Sequence, residues 1–496
     1  MKTLFLGIDA LDSLLLERYI ADMPNFQRLR AMASQLRVKS TFPPDSDTAW
    51  TTIFTGLRPA EHGIVQFVDP LEKTYRILHV GQPNEVMRGR TLWDQLQGQG
   101  FKTYVLFPHL CYPVWETGGG FVARGVHEAG IQASPADLLA RYPRPELQAG
   151  IRGFPRRSPS QMLDYFERMK TLAQADADFA LELMADKPWD FMFVYWSTLD
   201  AIGHFFWNYQ DPDYPGYQAG HALEGILREG YLFFDSLLGR FLDAIDEQTA
   251  LVVLSDHGHG RRPIELVNIN EVLRRAGYLN TFEKRTSKLK YARDGLMRLG
   301  VRWVSRLGLG QLASRFLKLF PTNVETLTRP QIIDWENTVA FATDMSGVKA
   351  YAYGGIRINR QDLTDVEYEQ LRDDIIERVQ EVCQLPDGTN LVKRICRREA
   401  QDQGEYLEKY PDILIDLIYG HGIGWGVDCD LFTQAESANL VPGSHRGETG
   451  VCFIRSDLPI EEDEIDLVDV YPTLLDQMGV AMDPDLQARS LFRRTV

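Results

Sequence analysis

The chain has 496 residues, with 53 Lys and Arg against 69 Asp and Glu, a formal net charge of −16, 44% hydrophobic residues and 25% charged residues. The composition suits a globular protein with a sizeable core. The acidic balance excludes a general nucleic-acid coat, which needs broad positive potential.

The N-terminus reads MKTLFLGIDALD. Its apolar run, Leu4–Ile8, is too short for a secretory signal and meets Asp9 at once, so it is read as a first buried strand. No stretch approaches the roughly 18 apolar residues of a membrane span, and a soluble cytoplasmic protein is expected. Cys111, Cys383, Cys396, Cys429 and Cys452 include no CxxC pair, which signals neither a thiolate zinc site nor a redox pair and fits a reducing compartment.

Next comes Pro43-Pro44-Asp45-Ser46-Asp47-Thr48, followed by an apolar stretch ending at Gly56. The prolines stop any preceding element, and a helix is predicted to begin near Ser46. A hydroxyl there meets free backbone amides and the positive end of the helix dipole, which favour an anion. Ser46 is therefore a candidate nucleophile with Thr48 as its rival; an ordinary N-cap is the structural alternative.

Tyr104–Phe107, Phe191–Trp196, Leu251–Leu254 and Ile413–Leu417 read as further buried parallel strands. Helical patterns lie between them at Gln161–Ala185, its start marked by Pro159 with Ser160 as N-cap, and at Tyr231–Ile245. The alternation implies an α/β core with a mostly parallel sheet. Residues 282–320 carry ten Lys or Arg against Glu283 and Asp294, with apolar residues at helical spacing. This basic segment reads as a helical hairpin with a solvated face, or as a surface for anionic contact. A strand at Tyr351–Asn359, a helix at Tyr368–Gln384 and a strand at Asn390–Arg397 suggest a small α+β cap. The expected organisation is a core at 1–280, an inserted cap at 281–408 and a return of the core at 409–496.

Asp and His recur just beyond the apolar strands. Asp9 follows the first, Asp200 and His204 follow Phe191–Trp196, Asp256 and His257 follow Leu251–Leu254, and His445 sits in Gly443-Ser444-His445-Arg446. Ligands of open α/β sheets bind at the carboxyl ends of the strands, so these groups are expected to converge there. Asp oxygen and neutral His nitrogen suit zinc or manganese. Asp200 and His204 are four apart, on one face of a helical turn. A lone Asp–His pair is more often a structural hydrogen bond; the recurrence points to metal.

The segments GIDALD, MPNFQRLRAMA, PPDSDTAWTTIFTGLRPAEHGI, DAIGH, LSDHGHG, GSHRGETG and VDVYPTLLDQMG, in this order, resemble the alkaline phosphatase superfamily. Within it they are similar to the type I phosphodiesterase and nucleotide pyrophosphatase branch in its cytoplasmic microbial form. The resemblance implies a three-layer core with an inserted helical plus α+β cap and two divalent metal ions, zinc or manganese. It places Asp9, Ser46, Asp256 and His257 at one metal and Asp200, His204 and His445 at the other, with Ser46 as nucleophile. Two departures stand out. Asp47 replaces the proline that usually follows the nucleophile. The asparagine with which secreted members hold a phosphoryl oxygen is missing, leaving Gln66 as a candidate. His259, Arg261 and Arg446 flank the site and are candidate phosphate contacts.

The implied activity is hydrolysis of phosphodiester or pyrophosphate bonds in small nucleotide-like substrates through a phosphoserine. A phosphomonoesterase or phosphomutase on the same scaffold is the nearest alternative. A catalytically silent metal-binding interaction protein is the alternative of another class. A sulfatase is disfavoured because its maturation signature is absent around Ser46.

Overall fold

The computed structural model describes residues 2–65, 68–69, 76–77, 86–125, 130–140, 142, 158–283, 292, 296, 299, 332–345, 351–360, 363–435 and 441–492. Most of the basic segment 282–320 lies outside these residues, as does Gln66.

The chain forms two compact units. The first comprises Met1–Ile64, Leu78–Gly260 and His445–Val496. Its nine-stranded sheet runs, from edge to edge, Glu464–Asp466, Ser34–Lys39, Gly450–Arg455, Ala250–Leu254, Thr3–Ile8, Phe191–Trp196, Thr103–Leu106, Gly118–Arg124, Ile131–Ser134. The four strands from Ala250–Leu254 to Thr103–Leu106 are mutually parallel, so their carboxyl ends lie along one edge.

Alternation along each strand builds two cores, because successive side chains leave opposite faces of a strand. Leu4, Leu6, Met192, Val194, Leu251 and Val253 pack on one face. Helices Pro24–Met32, Pro159–Asp186, Thr198–Gln210 and Ile226–Ala244 cover it. Phe5, Phe191, Phe193, Val252 and Leu254 pack on the other, under Ser46–Thr55, Leu92–Gly98 and Leu467–Gln477. The result is the three-layer α/β architecture expected from the sequence.

Local signals set the helix ends. Pro159 is the first residue of the helix Pro159–Asp186, but the capping side chain is Ser158 rather than Ser160. Pro fits the first helical position because its missing N–H would have no partner there. Asp45 caps Ser46–Thr55 by accepting from the Asp47 N–H, which makes Ser46 the first helical residue. Gly56 ends that helix at φ 65°, where a side chain would be strained.

The second unit comprises Val65–Ile77 and Arg261–Ser444. The sequence boundaries at 280/281 and 408/409 both fall inside it. Its main sheet is antiparallel, in the order Ala340–Asp344, Tyr353–Ile358, Ile413–Leu417, Val392–Arg397. Ile413–Leu417 is thus correctly placed as a buried strand, but it belongs to this antiparallel sheet and not to the parallel core. A continuous apolar run reports burial on both faces and carries no information on strand direction. Helix Asp365–Val382, opened by the Thr364–Glu367 capping box, packs in the same core through Tyr368, Ile375 and Val379. Among the described residues, no helix is long and apolar enough to cross a membrane. The five cysteines form no disulfide.

Glu271, on helix Ile269–Arg275, gathers donors from Arg274 at 2.8 Å, Arg275 at 2.7 Å and the Asp428 N–H at 2.8 Å. Burial alone would raise its pKa, but these donors outweigh burial and lower it to about 2. The folded value lies below the ordinary one of 4.5, so the stabilisation is present above pH 4.5 and is lost as pH falls toward 2. Glu271→Gln should therefore flatten the loss of thermal stability between pH 4.5 and 2, read by calorimetry; an unchanged slope would assign that loss to other groups.

Candidate active site

Three adjacent parallel strands deliver most of the candidate residues. Asp9 follows Thr3–Ile8 directly, ahead of a turn in which Ala10 takes φ 57°. Phe191–Trp196 leads into helix Thr198–Gln210, whose first turns carry Asp200 and His204. Ala250–Leu254 is followed by Ser255, Asp256 and His257, all fully buried. His445 lies on the short strand Gly443–Arg446 rather than in a loop. All the predicted metal-ligand residues lie in the first unit.

They converge as overlapping sets. Asp9, Asp256 and His257 offer donor atoms within 4.8 Å of one another, and so do Asp200, His257 and His445. A third set unites Asp200 and His204 with His259. His259 Nδ1 lies 3.6 Å from Asp200 Oδ1, so His259 stands among the donors, whereas the sequence suggested only a phosphate contact. Gly203 makes this possible: a Cβ there would come within 2.6–2.7 Å of the His259 ring.

The Ser46 hydroxyl, at the N-terminus of its helix, lies 3.1 Å from His257 Nε2 and 3.5 Å from Asp9 Oδ1. Thr48 is fully buried and its hydroxyl makes no hydrogen bond among the described residues. Arg446 pairs with Glu448 at 3.4 Å. Arg261 belongs to the second unit, where its N–H donates to Tyr419 Oη.

Backbone carbonyls select the tautomers of two imidazoles. His257 Nδ1 is 2.9 Å from Gly258 O, and His445 Nδ1 is 2.8 Å from Pro44 O. A carbonyl only accepts, so each Nδ1 carries the proton, and in the neutral ring each Nε2 keeps its lone pair. Yet His257 Nε2 lies 3.2 Å from Asp256 Oδ2, and His445 Nε2 lies 3.3 Å from Asp200 Oδ1. A lone pair facing a carboxylate oxygen is repulsive unless a cation or proton lies between. Buried Asp256 Oδ2 has no hydrogen-bond partner among the described residues. Carboxylate oxygens and neutral imidazole nitrogens are the donors that divalent zinc and manganese accept, so this set fits such ions.

The carboxylates also strain one another electrostatically. Burial and the Asp200 charge raise the pKa of Asp9; burial, Asp9 and Asp200 push Asp256 well above the carboxylate range. Burial acts on Asp200 too, but the imidazoles of His204, His445 and His259 outweigh it and hold Asp200 well below that range. Divalent cations would relieve this concentration of negative charge.

Three further side chains enter the cluster unannounced by the sequence reading. Tyr195 Oη donates to Asp9 Oδ2 at 2.5 Å, and Trp50 Nε1 donates to the same oxygen at 3.2 Å. His109 lies 2.7 Å from Asp47 and 3.2 Å from Tyr195 Oη. His109 follows the strand Thr103–Leu106, so the pattern that found the candidate ligands, an apolar run followed by Asp or His, was present there as well. Burial lowers the His109 pKa, but the hydrogen bond and charge of Asp47 more than reverse this and raise it to about 9.

The model of the family described as type I phosphodiesterase / nucleotide pyrophosphatase matches residues 3–315, more than half of the chain. The chain belongs to that family. Membership assigns phosphoester hydrolysis as the class of reaction. No curated protein matches the chain. Among solved structures, phosphonoacetate hydrolase from Sinorhizobium meliloti is similar with a TM-score of 0.55 at 12% identity, covering 95% of this chain and 94% of that one. Human ectonucleotide pyrophosphatase/phosphodiesterase 5 gives 0.51 at 13% identity, covering 98% and 96%. At these identities the likeness speaks to fold, and it is the alkaline-phosphatase-like fold expected from the sequence.

Gly203→Ala should displace the His259 ring, and the clash in a buried site should cost about 1–3 kcal/mol, more than the helix gains from alanine. Turnover of a chromogenic phosphodiester should fall more than about tenfold, with a modest drop in melting temperature. Full turnover in this variant would show that the position of His259 does not matter to the site.

Proposed function

We propose that the protein is a two-metal phosphohydrolase that cleaves phosphodiester or pyrophosphate bonds of nucleotide-like small molecules through a phosphoserine at Ser46. One observation carries this reading: a hydroxyl at a helix N-terminus stands beside two overlapping sets of Asp and His donors, in a member of a phosphodiesterase family. Asp9, Ser46, Asp256 and His257 would hold one cation. Asp200, His204 and His445 would hold the other, with His259 as an added donor. Zinc is the first candidate and manganese the second. Bound cations would supply Lewis acidity, neutralising phosphoryl charge and lowering the pKa of the attacking oxygens.

The chain's own part is positioning, which dominates phosphoryl transfer. Ser46 stands where helix amides face an incoming phosphoryl oxygen. Its Oγ bonds to phosphorus and gives up its proton to solvent, while the bond from phosphorus to the leaving oxygen breaks. The leaving oxygen keeps the electron pair and takes a proton from water. A water then attacks the phosphoserine from the vacated side, and Oγ departs and is reprotonated. Two inversions give net retention at phosphorus. Thr48, fully buried, is the weaker candidate for this role on exposure alone.

Ser46→Ala should fold and bind cations yet lose at least about 10³-fold in turnover, about 4 kcal/mol of transition-state stabilisation. Exhaustive chelation should abolish activity on a dinucleotide or nucleotide sugar, and zinc or manganese should restore it. Full activity of Ser46→Ala would move the nucleophile elsewhere; full activity after chelation would overturn the metal-dependent reading.

A further inference from the structure

Asp47 directly follows the candidate nucleophile Ser46, and the reaction as proposed makes no use of it. The structure gives it a partner. Its carboxylate lies 2.7 Å from His109 Nε2, His109 Nδ1 lies 3.2 Å from Tyr195 Oη, and Tyr195 Oη lies 2.5 Å from Asp9 Oδ2. The protons along this chain can be assigned by counting. A tyrosine hydroxyl has one proton, and the short contact to the Asp9 carboxylate takes it. Tyr195 Oη must then accept from His109 Nδ1–H, and the Asp47 carboxylate accepts from Nε2–H. Every donor points the same way, from His109 outward to a carboxylate at each end.

The Asp9 carboxylate is thereby divided. Oδ2 receives both Tyr195 and Trp50, while Oδ1 is left on the side of Ser46 at 3.5 Å and His257 at 3.7 Å. Asp47 adjoins Ser46 in sequence, so the relay closes a ring from the nucleophile's helix through three neighbouring strands back to the nucleophile's hydroxyl. His109 is held between residues of positive φ, Phe107 at 61° and Leu110 at 56°.

We propose that Asp47, His109 and Tyr195 form a hydrogen-bonded relay that positions the Asp9 carboxylate beside Ser46 and so sets how tightly a divalent cation is held at that end of the site. The inference rests on the reading of Asp9 as a cation ligand. These are positioning residues; Asp47 supplies the anchor that keeps His109 in line.

The test is zinc affinity, measured on the full-length protein by competition with a chromogenic chelator, alongside kcat, KM and melting temperature. Partners that orient a ligand from behind are worth about 10–100-fold in metal affinity. Tyr195→Phe and His109→Ala should each weaken the tighter or the weaker of the two zinc sites by that factor, the same site in both variants. The other site should be unchanged. The fall should appear in kcat with KM nearly constant, and the double variant should lose no more than the worse single, as members of one network do. His109→Asn, which keeps a donor at the Nδ1 position, should recover most of the loss. Asp47→Asn, nearly isosteric, serves if His109→Ala fails to fold. Unchanged zinc affinity in the variants, or losses that multiply in the double, would overturn the relay while leaving the hydrolase reading intact. A wild-type protein that binds no zinc and cleaves no phosphodiester would overturn that reading instead.

Discussion

The constraint on which the structure turns is the burial of carboxylates beside one another. Asp9 and Asp256 are almost fully enclosed, and Asp200 stands close by under the influence of three imidazoles. Uncompensated charge in such surroundings is unfavourable by several kcal/mol per ion. No arginine or lysine ion pair is made to any of the three among the described residues. Positive charge therefore has to come from imidazoles or from bound cations. In their neutral form two of the imidazoles keep the proton on Nδ1, held by Gly258 O and Pro44 O, and turn the Nε2 lone pair toward the carboxylates. The backbone around His257 and His445 thus presents imidazole nitrogens in the form a divalent cation accepts.

Sheet order explains how residues so distant in sequence come together. Thr3–Ile8 sits between Phe191–Trp196 and Ala250–Leu254, in parallel register from Thr3 to Gly7 with both. The residues after each strand therefore emerge at the same height. The aromatic face beneath keeps the first strand rigid: Phe5 meets Phe193 edge-on at 4.8 Å, and Trp50 meets Tyr195 at 5.0 Å. Trp50 and Tyr195 are thus both core residues and holders of Asp9, which ties the precision of the site to the packing of the core. Family membership and geometry meet here, and phosphoester hydrolysis is the chemistry that both support.

Much of this was legible in the sequence because apolar runs ending in Asp or His are a local signal. Asp9, Asp256 and His257 follow runs that became strands of the expected extent, and the spacing of Asp200 and His204 became one helical face. What escaped depends on pairing at long range. Ile413–Leu417 reads like a parallel core strand because burial, which shapes its composition, is blind to direction. His259 joined the donors only because Gly203, 56 positions away in sequence, leaves room for its ring. Tyr195 and Trp50 read as core residues, which they are; their polar atoms matter only once Asp9 is placed against them. Asp47 stood out in the sequence, but its partner His109 lies 62 residues away.

The most direct measurement is anomalous diffraction at the zinc edge from crystals grown with zinc and inorganic phosphate. Two peaks are expected, one among Asp9, Ser46, Asp256 and His257 and one among Asp200, His204 and His445, with phosphate between them and Ser46 Oγ. No peak in this cluster, or zinc held only elsewhere on the protein, would contradict it.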